Sequence, residues 1–218
     1  MGDIVGIFGI VALSSGNYVA VSSYWDNGGI ADAGAVTFGN GFGGTTGQIS
    51  AGNSVIGSTQ GDLLGEGGTV IALSDANYAI ASPMWDAPGI PDAGAVTWGN
   101  GVTGTVGAIS AGNSLIGSTA GDRIGNFYRP VPLPAGRYAI GSSLWDASGT
   151  VDARAMTLAK AGGITTGAIT SSNSVEGPIL STSITSVAWD PIRERLAVGR
   201  GTRVSFISYD TIMFDRFE

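Results

Sequence analysis

The sequence predicts an all-β protein built from three blade-like repeats and a shorter fourth unit. Three observations predict it: a repeat with a period of sixty residues, short apolar runs divided by turn signals, and a glycine-rich, charge-poor composition. The period is carried by Trp25-Asp26, Trp85-Asp86 and Trp145-Asp146, by Tyr18, Tyr78 and Tyr138, and by Asn53-Ser54, Asn113-Ser114 and Asn173-Ser174. About 31 of the 48 positions from Leu13 to Gln60 are identical to those from Leu73 to Ala120, without a gap. Self-similarity at such a period marks a repeat architecture. The repeats are placed at 2–60, 61–120 and 121–180, the third diverged, with a C-terminal blade and tail at 181–218. All of them form one repeat domain.

The elements of one repeat follow from its punctuation. Thr69 to Leu73 is a short apolar run, Ser74-Asp75-Ala76 supplies turn residues, and Tyr78 to Ser82 is a second strand. A Pro/Gly/Asp-rich connection from Asp86 to Asp92 leads to a strand from Ala93 to Trp98. Gly99-Asn100-Gly101 turns the chain, and Val106–Ser110 and Ser114–Ile116 complete the repeat. Runs of this length with turn signals between them read as strands. Four antiparallel strands per repeat is the make-up of a β-propeller blade. A β-solenoid is the alternative, because sixty residues is also three coils of about twenty. The stretch from Ala153 to Ala161 stands out as helix-friendly, although its counterpart one repeat earlier reads as strand. After the repeats, Ile184–Asp190, a turn at Pro191–Arg195, Leu196–Gly199 and Arg203–Ser208 resemble a WD40-type blade. The tail from Tyr209 to Glu218 is expected to cap an edge.

Composition narrows the function classes. Hydrophobic residues make up 43% and charged residues 12%, with 37 glycines. Such a chain is too apolar for disorder and too interrupted by glycine for long helices. It has no cysteine and no histidine, so disulfides and thiol or imidazole chemistry are excluded. No apolar run is long enough to span a membrane, and the start, Met1-Gly2-Asp3, has no basic leader. Nine acids and no Lys or Arg precede Arg123, while the rest of the chain has ten bases and eight acids. The first half is therefore expected to repel nucleic acid and anionic membrane. Arg193, Arg195, Arg200 and Arg203 form a local basic cluster, read as a solvated hairpin surface.

Two resemblances attach to these residues. Phe8-Gly9, Ala81-Ser82-Pro83 and Ala93-Gly94-Ala95-Val96 stand in the order of the FG-GAP repeats of integrin α-subunit β-propellers, which the chain resembles there. More closely, NYVAVSSYWDNGGIADAGAVTFGNG and NYAIASPMWDAPGIPDAGAVTWGNG resemble repeats of unknown function in large haemagglutinin-like bacterial surface proteins. That pattern runs from Gly2 to about Gly177. The FG-GAP resemblance implies a calcium loop between the first two strands. The matching segments 14–17, 74–77 and 134–137 hold at most one acid each. Calcium needs six to eight oxygen ligands, usually with several carboxylates, so calcium binding is not carried over.

The Trp-Asp pairs are the candidate ligand-binding residues: Trp25, Asp26, Trp85, Asp86, Trp145 and Asp146. In one reading each tryptophan is a platform for a sugar ring and each aspartate bonds its hydroxyls. In the other the tryptophan is a spacer between blades and the aspartate caps the turn that follows. Asp32, Asp92 and Asp152, and Asp3, Asp62 and Asp122, also recur, as turn caps or as a ring of carboxylates. Two carboxylates suffice for a glycosidase. Every acid of the first two repeats except Glu66 and Asp75 recurs at its equivalent position, which is unlike a catalytic pair. The expectation is a non-catalytic binding module, surface-adhesin or lectin-like, with a structural or assembly repeat as the alternative. No cofactor and no metal site is expected. The expected partners are a glycan or cell-surface protein and a second copy paired head to tail. The expected place is extracellular or the cell surface, as part of a larger exported protein, with the cytoplasm as the alternative.

Overall fold

The computed structural model describes residues 3–126, 129–147, 149–160, 162–163, 165–177, 187–200, 203–208 and 212–215. Positions 184–186 of the expected C-terminal strand, and positions 209–211 and 216–218 of the tail, lie outside the described residues. Repeat 1 holds β1 (Ile10–Ala12), β2 (Tyr18–Ser22), β3 (Ala35–Gly39) and β4 (Ser54–Ile56). Repeat 2 holds β5 (Val70–Ala72), β6 (Tyr78–Ser82), β7 (Ala95–Gly99), β8 (Gly107–Ala108) and β9 (Ser114–Ile116). Repeat 3 holds β10 (Val131–Pro132), β11 (Tyr138–Ser142), β12 (Ala155–Ala159), β13 (Gly167–Ala168) and β14 (Ser174–Glu176). The C-terminal unit holds β15 (Val187–Asp190), β16 (Arg195–Arg200), β17 (Arg203–Ile207) and β18 (Ile212–Asp215). Among the described residues there is no α-helix, only two single 3-10 turns at Glu66–Gly68 and Pro134–Gly136. The helix-friendly segment of repeat 3 is therefore strand β12. Pairing with β11 on one side and β14 on the other overrides its local propensity.

Each repeat contributes an antiparallel sheet in one register. Tyr18 pairs with Gly39, Tyr78 with Gly99 and Tyr138 with Ala159. Hydroxyl pairs link the third and fourth strands of each sheet: Thr37 with Ser54 at 2.8 Å, Thr97 with Ser114 at 2.7 Å and Thr157 with Ser174 at 2.6 Å. The C-terminal unit is a four-stranded antiparallel meander, and part of the tail forms its edge strand β18.

Side-chain alternation gives each sheet two faces, and successive sheets share the core between them. Val19, Val21, Val36 and Val55 leave repeat 1 on the side facing repeat 2, which we call the trailing face. They meet Tyr78, Ile80, Trp85 and Ile109 on the leading face of repeat 2. Ala79, Ala81, Val96 and Leu115 on the trailing face of repeat 2 meet Tyr138, Ile140, Trp145 and Ile169. Leu133, Met156 and Val175 of repeat 3 share a third core with Leu196, Val198 and Ile207 of the C-terminal unit.

A second device ties repeats together. Strand β8 of repeat 2 leaves its own sheet and pairs in parallel with β4 of repeat 1. The Ile109 N–H then donates to the Ile56 carbonyl at 3.2 Å. Strand β13 of repeat 3 does the same with β9, and Ile169 N–H donates to Ile116 O at 3.0 Å. Among the described residues the ladders within each repeat are antiparallel, and the parallel pairing a solenoid would need is limited to these two-residue pairs and an isolated bridge between Gly94 and Ile124. The segment expected as one strand of its own repeat, 106–110, is this exchanged strand.

Candidate functional site

The Trp-Asp pair opens a loop that closes on itself. Trp85 N–H donates to Ser82 O at 3.1 Å, and Gly94 N–H donates to Trp85 O at 2.9 Å. Inside the loop, Ala87 and Ile90 exchange backbone hydrogen bonds as a tight hairpin. Gly94 must be glycine. Its φ is +71°, and an added Cβ would lie 2.1 Å from the Ile124 backbone nitrogen of the next repeat. Gly34 meets Leu64 in the same way. In repeat 3 the position is Arg154, with φ +67°, which marks the point where the sixty-residue stacking gives way to the C-terminal unit.

Aspartates form a relay across each loop. Asp122 is fully buried and accepts from the N–H groups of Ser118 (2.8 Å), Thr119 (2.9 Å) and Asp146 (3.0 Å). The Thr119 hydroxyl also donates to it. Asp146 in turn accepts from Asp152 N–H at 2.8 Å. Asp62, Asp86 and Asp92 repeat this arrangement, and Asp3, Asp26 and Asp32 keep its last two links. The recurring acids thus hold turns: Asp32, Asp92 and Asp152 sit at left-handed φ near +50°, and the preceding carboxylates fix them there. Asp92 also pairs with Arg123 at 2.8 Å.

Trp85 and Trp145 are 2% and 3% exposed, packed between adjacent sheets, whereas Trp25 is half-buried because no described sheet precedes repeat 1. Burial also pushes the phenols of Tyr78 and Tyr138 above their ordinary value, with the Asp75 carboxylate adding to the rise at Tyr138. Beside each buried tryptophan runs a groove. One, of about 450 Å³, is lined by Ser58, Thr59, Trp85, Asp86, Ser110 and Ala111 among others. The other, of about 770 Å³, is lined by the counterparts Ser118, Thr119, Trp145, Asp146, Thr170 and Ser171. The indole N–H groups of Trp85 and Trp145 have no acceptor among the protein's own described groups. Trp25 and Asp26 line a different space, a cavity of about 570 Å³ on the leading face of repeat 1, with Asp3, Tyr18, Thr37, Gln48 and Ile49. The six Trp and Asp positions are therefore not brought to one place. They lie at three successive stations of the stack. Sequence reasoning missed the Ser-Thr pair that enters each groove from the preceding repeat. Its recurrence at 58–59 and 118–119, four residues ahead of a recurring Asp, was the available signal.

Glycine-rich antiparallel sheets in one register, packed in series and cross-tied by exchanged strands, define a tandem β-repeat protein. The chain belongs to the family described as a repeat of unknown function, DUF5650, which matches residues 12–66, 72–126 and 132–186. No curated protein and no solved structure matches it. Among the described residues no helix is long and apolar enough to cross a membrane.

Proposed function

We propose that the chain is a non-catalytic binding module whose ligand-binding positions are the grooves beside the Trp85-Asp86 and Trp145-Asp146 turns. One observation carries the reading. Two equivalent grooves, one repeat apart, are each lined by a tryptophan, the carboxylate that follows it and hydroxyl side chains. A polysaccharide offers repeated hydroxyls that carboxylate and hydroxyl side chains can bond, and recurring sites can engage it together, which favours a lectin-like or adhesin-like role. The tryptophan then contributes part of the groove wall, not the open ring face of the platform reading. We read the stack as a propeller segment of the FG-GAP kind, carried at the cell surface on a larger exported protein like the haemagglutinin-like repeats it resembles. Screening the intact chain on a glycan array tests this. Wild type should retain a saccharide that the double variant Ala111→Arg, Ser171→Arg loses without a change in melting temperature. Retention by that variant, or no saccharide retained at all, would contradict the reading.

A second reading, a structural or assembly repeat, is favoured by a specific observation. The stack has two unlike ends, and Trp85 and Trp145 serve the contacts inside it.

A further inference from the structure

Each end of the stack offers one half of the contact that joins repeats in its interior. The leading face of repeat 1 presents Tyr18, Ala20, Trp25, Thr37 and Ile49 around an open cavity. Their counterparts Tyr78, Ile80, Trp85, Thr97 and Ile109 are all buried under repeat 1. At the other end, the strand register places Ala188 opposite Ala197 and Ala197 opposite Phe206. The alternate residues Leu196, Val198 and Ile207 are buried toward repeat 3, so the Ala188–Ala197–Phe206 row faces away from it. Ala188 is exposed, and Ala197 and Phe206 are half-buried.

The two surfaces match in shape. Inside the chain, a bulky Tyr/Trp leading face packs on a low face of small residues, such as Ala79, Ala81 and Val96 of repeat 2. The row Ala188–Ala197 is a low face of that kind. Asp3 and Asp26 line the leading cavity. Arg195 stacks over Phe206 at 3.8 Å and pairs with Asp190, as Arg193 does. Two leading faces set against each other would oppose bulky rings to bulky rings and acids to acids, which costs affinity.

We propose that a second copy of this chain docks head to tail, seating its Ala188–Ala197–Phe206 row on the leading face of repeat 1. The proposal deepens the assembly reading and is independent of the groove reading, because Ala111 and Ser171 lie on neither face. A contact of unlike faces is heterologous and can close into a ring or continue.

Light scattering on the intact chain, without saccharide, tests it. At tens of micromolar the wild type should show a mass at least twice its 21.9 kDa. Ala20→Arg blocks the leading face, and Ala197→Arg blocks the trailing face. Each variant alone should weaken association at least tenfold. Mixed together, they should pair, since each supplies the face the other has lost. Pairing in the mixture also shows that both variants are folded. Ala20→Ile, which copies Ile80 of repeat 2, should associate at least as well as wild type. A wild type that stays at the mass of one chain would overturn the proposal. So would association that survives both arginine variants, or a mixture that fails to pair while Ala20→Ile remains associated.

Discussion

The leading faces of repeats 1 and 2 carry the same residues in different surroundings. Tyr18, Trp25 and Ile49 are half-buried, while Tyr78, Trp85 and Ile109 are buried. Local sequence does not separate the two sets. What separates them is whether a described sheet lies in front. Burial of the Trp-Asp motif is therefore a property of the stack, and the motif's main physical work is to fill the space between sheets. The one substitution in the row is Ala20 for Ile80: Ile80 fills the space between two sheets, and Ala20 lies at the floor of the open cavity.

That contrast can be broken by mutation. The largest effect is expected from Trp85→Ala, which should cost about 3–5 kcal/mol because the core around a buried aromatic closes only in part. Trp25→Ala should cost less than that, because part of its surface is exposed. Chemical denaturation of both variants checks the pair, and equal losses would remove the distinction between the faces. Next comes Gly94→Ala, at about 3 kcal/mol, since the new Cβ would strike the Ile124 backbone at a left-handed φ. Arg154→Ala at the equivalent position of repeat 3 should meet no such backbone clash, because the residue there already carries a Cβ. Asp122→Ala should cost about 2 kcal/mol by stranding the Ser118, Thr119 and Asp146 N–H groups. Asp3→Ala, which strands the Asp26 N–H alone, should cost less, and thermal melts of the two variants decide it.

The smallest effect is a pH dependence. The Tyr138 phenol is raised in the folded chain, so its contribution to stability is complete below pH 10 and is lost as pH rises further. The loss amounts to about 1.4 kcal/mol per pH unit over that window. Tyr138→Phe should flatten this alkaline limb in melts taken across pH 9 to about pH 12. An unchanged limb would mean that Tyr138 is not buried as described.

The sequence reading reached the strands wherever turn residues bound them. Tyr78–Ser82 and Ser114–Ile116 stand where Ser74-Asp75-Ala76 and Asn113 predict. It reached the sixty-residue period and the antiparallel sheet of each repeat for the same reason, since both are local and repeated. It left the Trp-Asp pair between two readings because burial depends on the neighbouring repeat. It misplaced the segment around Gly107-Ala108, because a strand's partner is not encoded in the strand, and this one pairs a whole repeat away. The loss of Gly34 and Gly94 at Arg154 was visible in the alignment of repeats. Its meaning, that no sixty-residue repeat follows in the same phase, needed the close approach of Ile124 to Gly94 to be seen.

The exchanged strands join each repeat to the one before it, and amide hydrogen exchange reads that join. Ile109 and Ile169 donate to the preceding repeat, while the counterpart Ile49 N–H has no such acceptor among the described residues. Ile109 and Ile169 amides should exchange about a hundredfold or more slowly than Ile49, at rates set by the opening of the stack. If all three exchange at the rate of an open loop, the repeats are not cross-tied and the account of the stack is wrong.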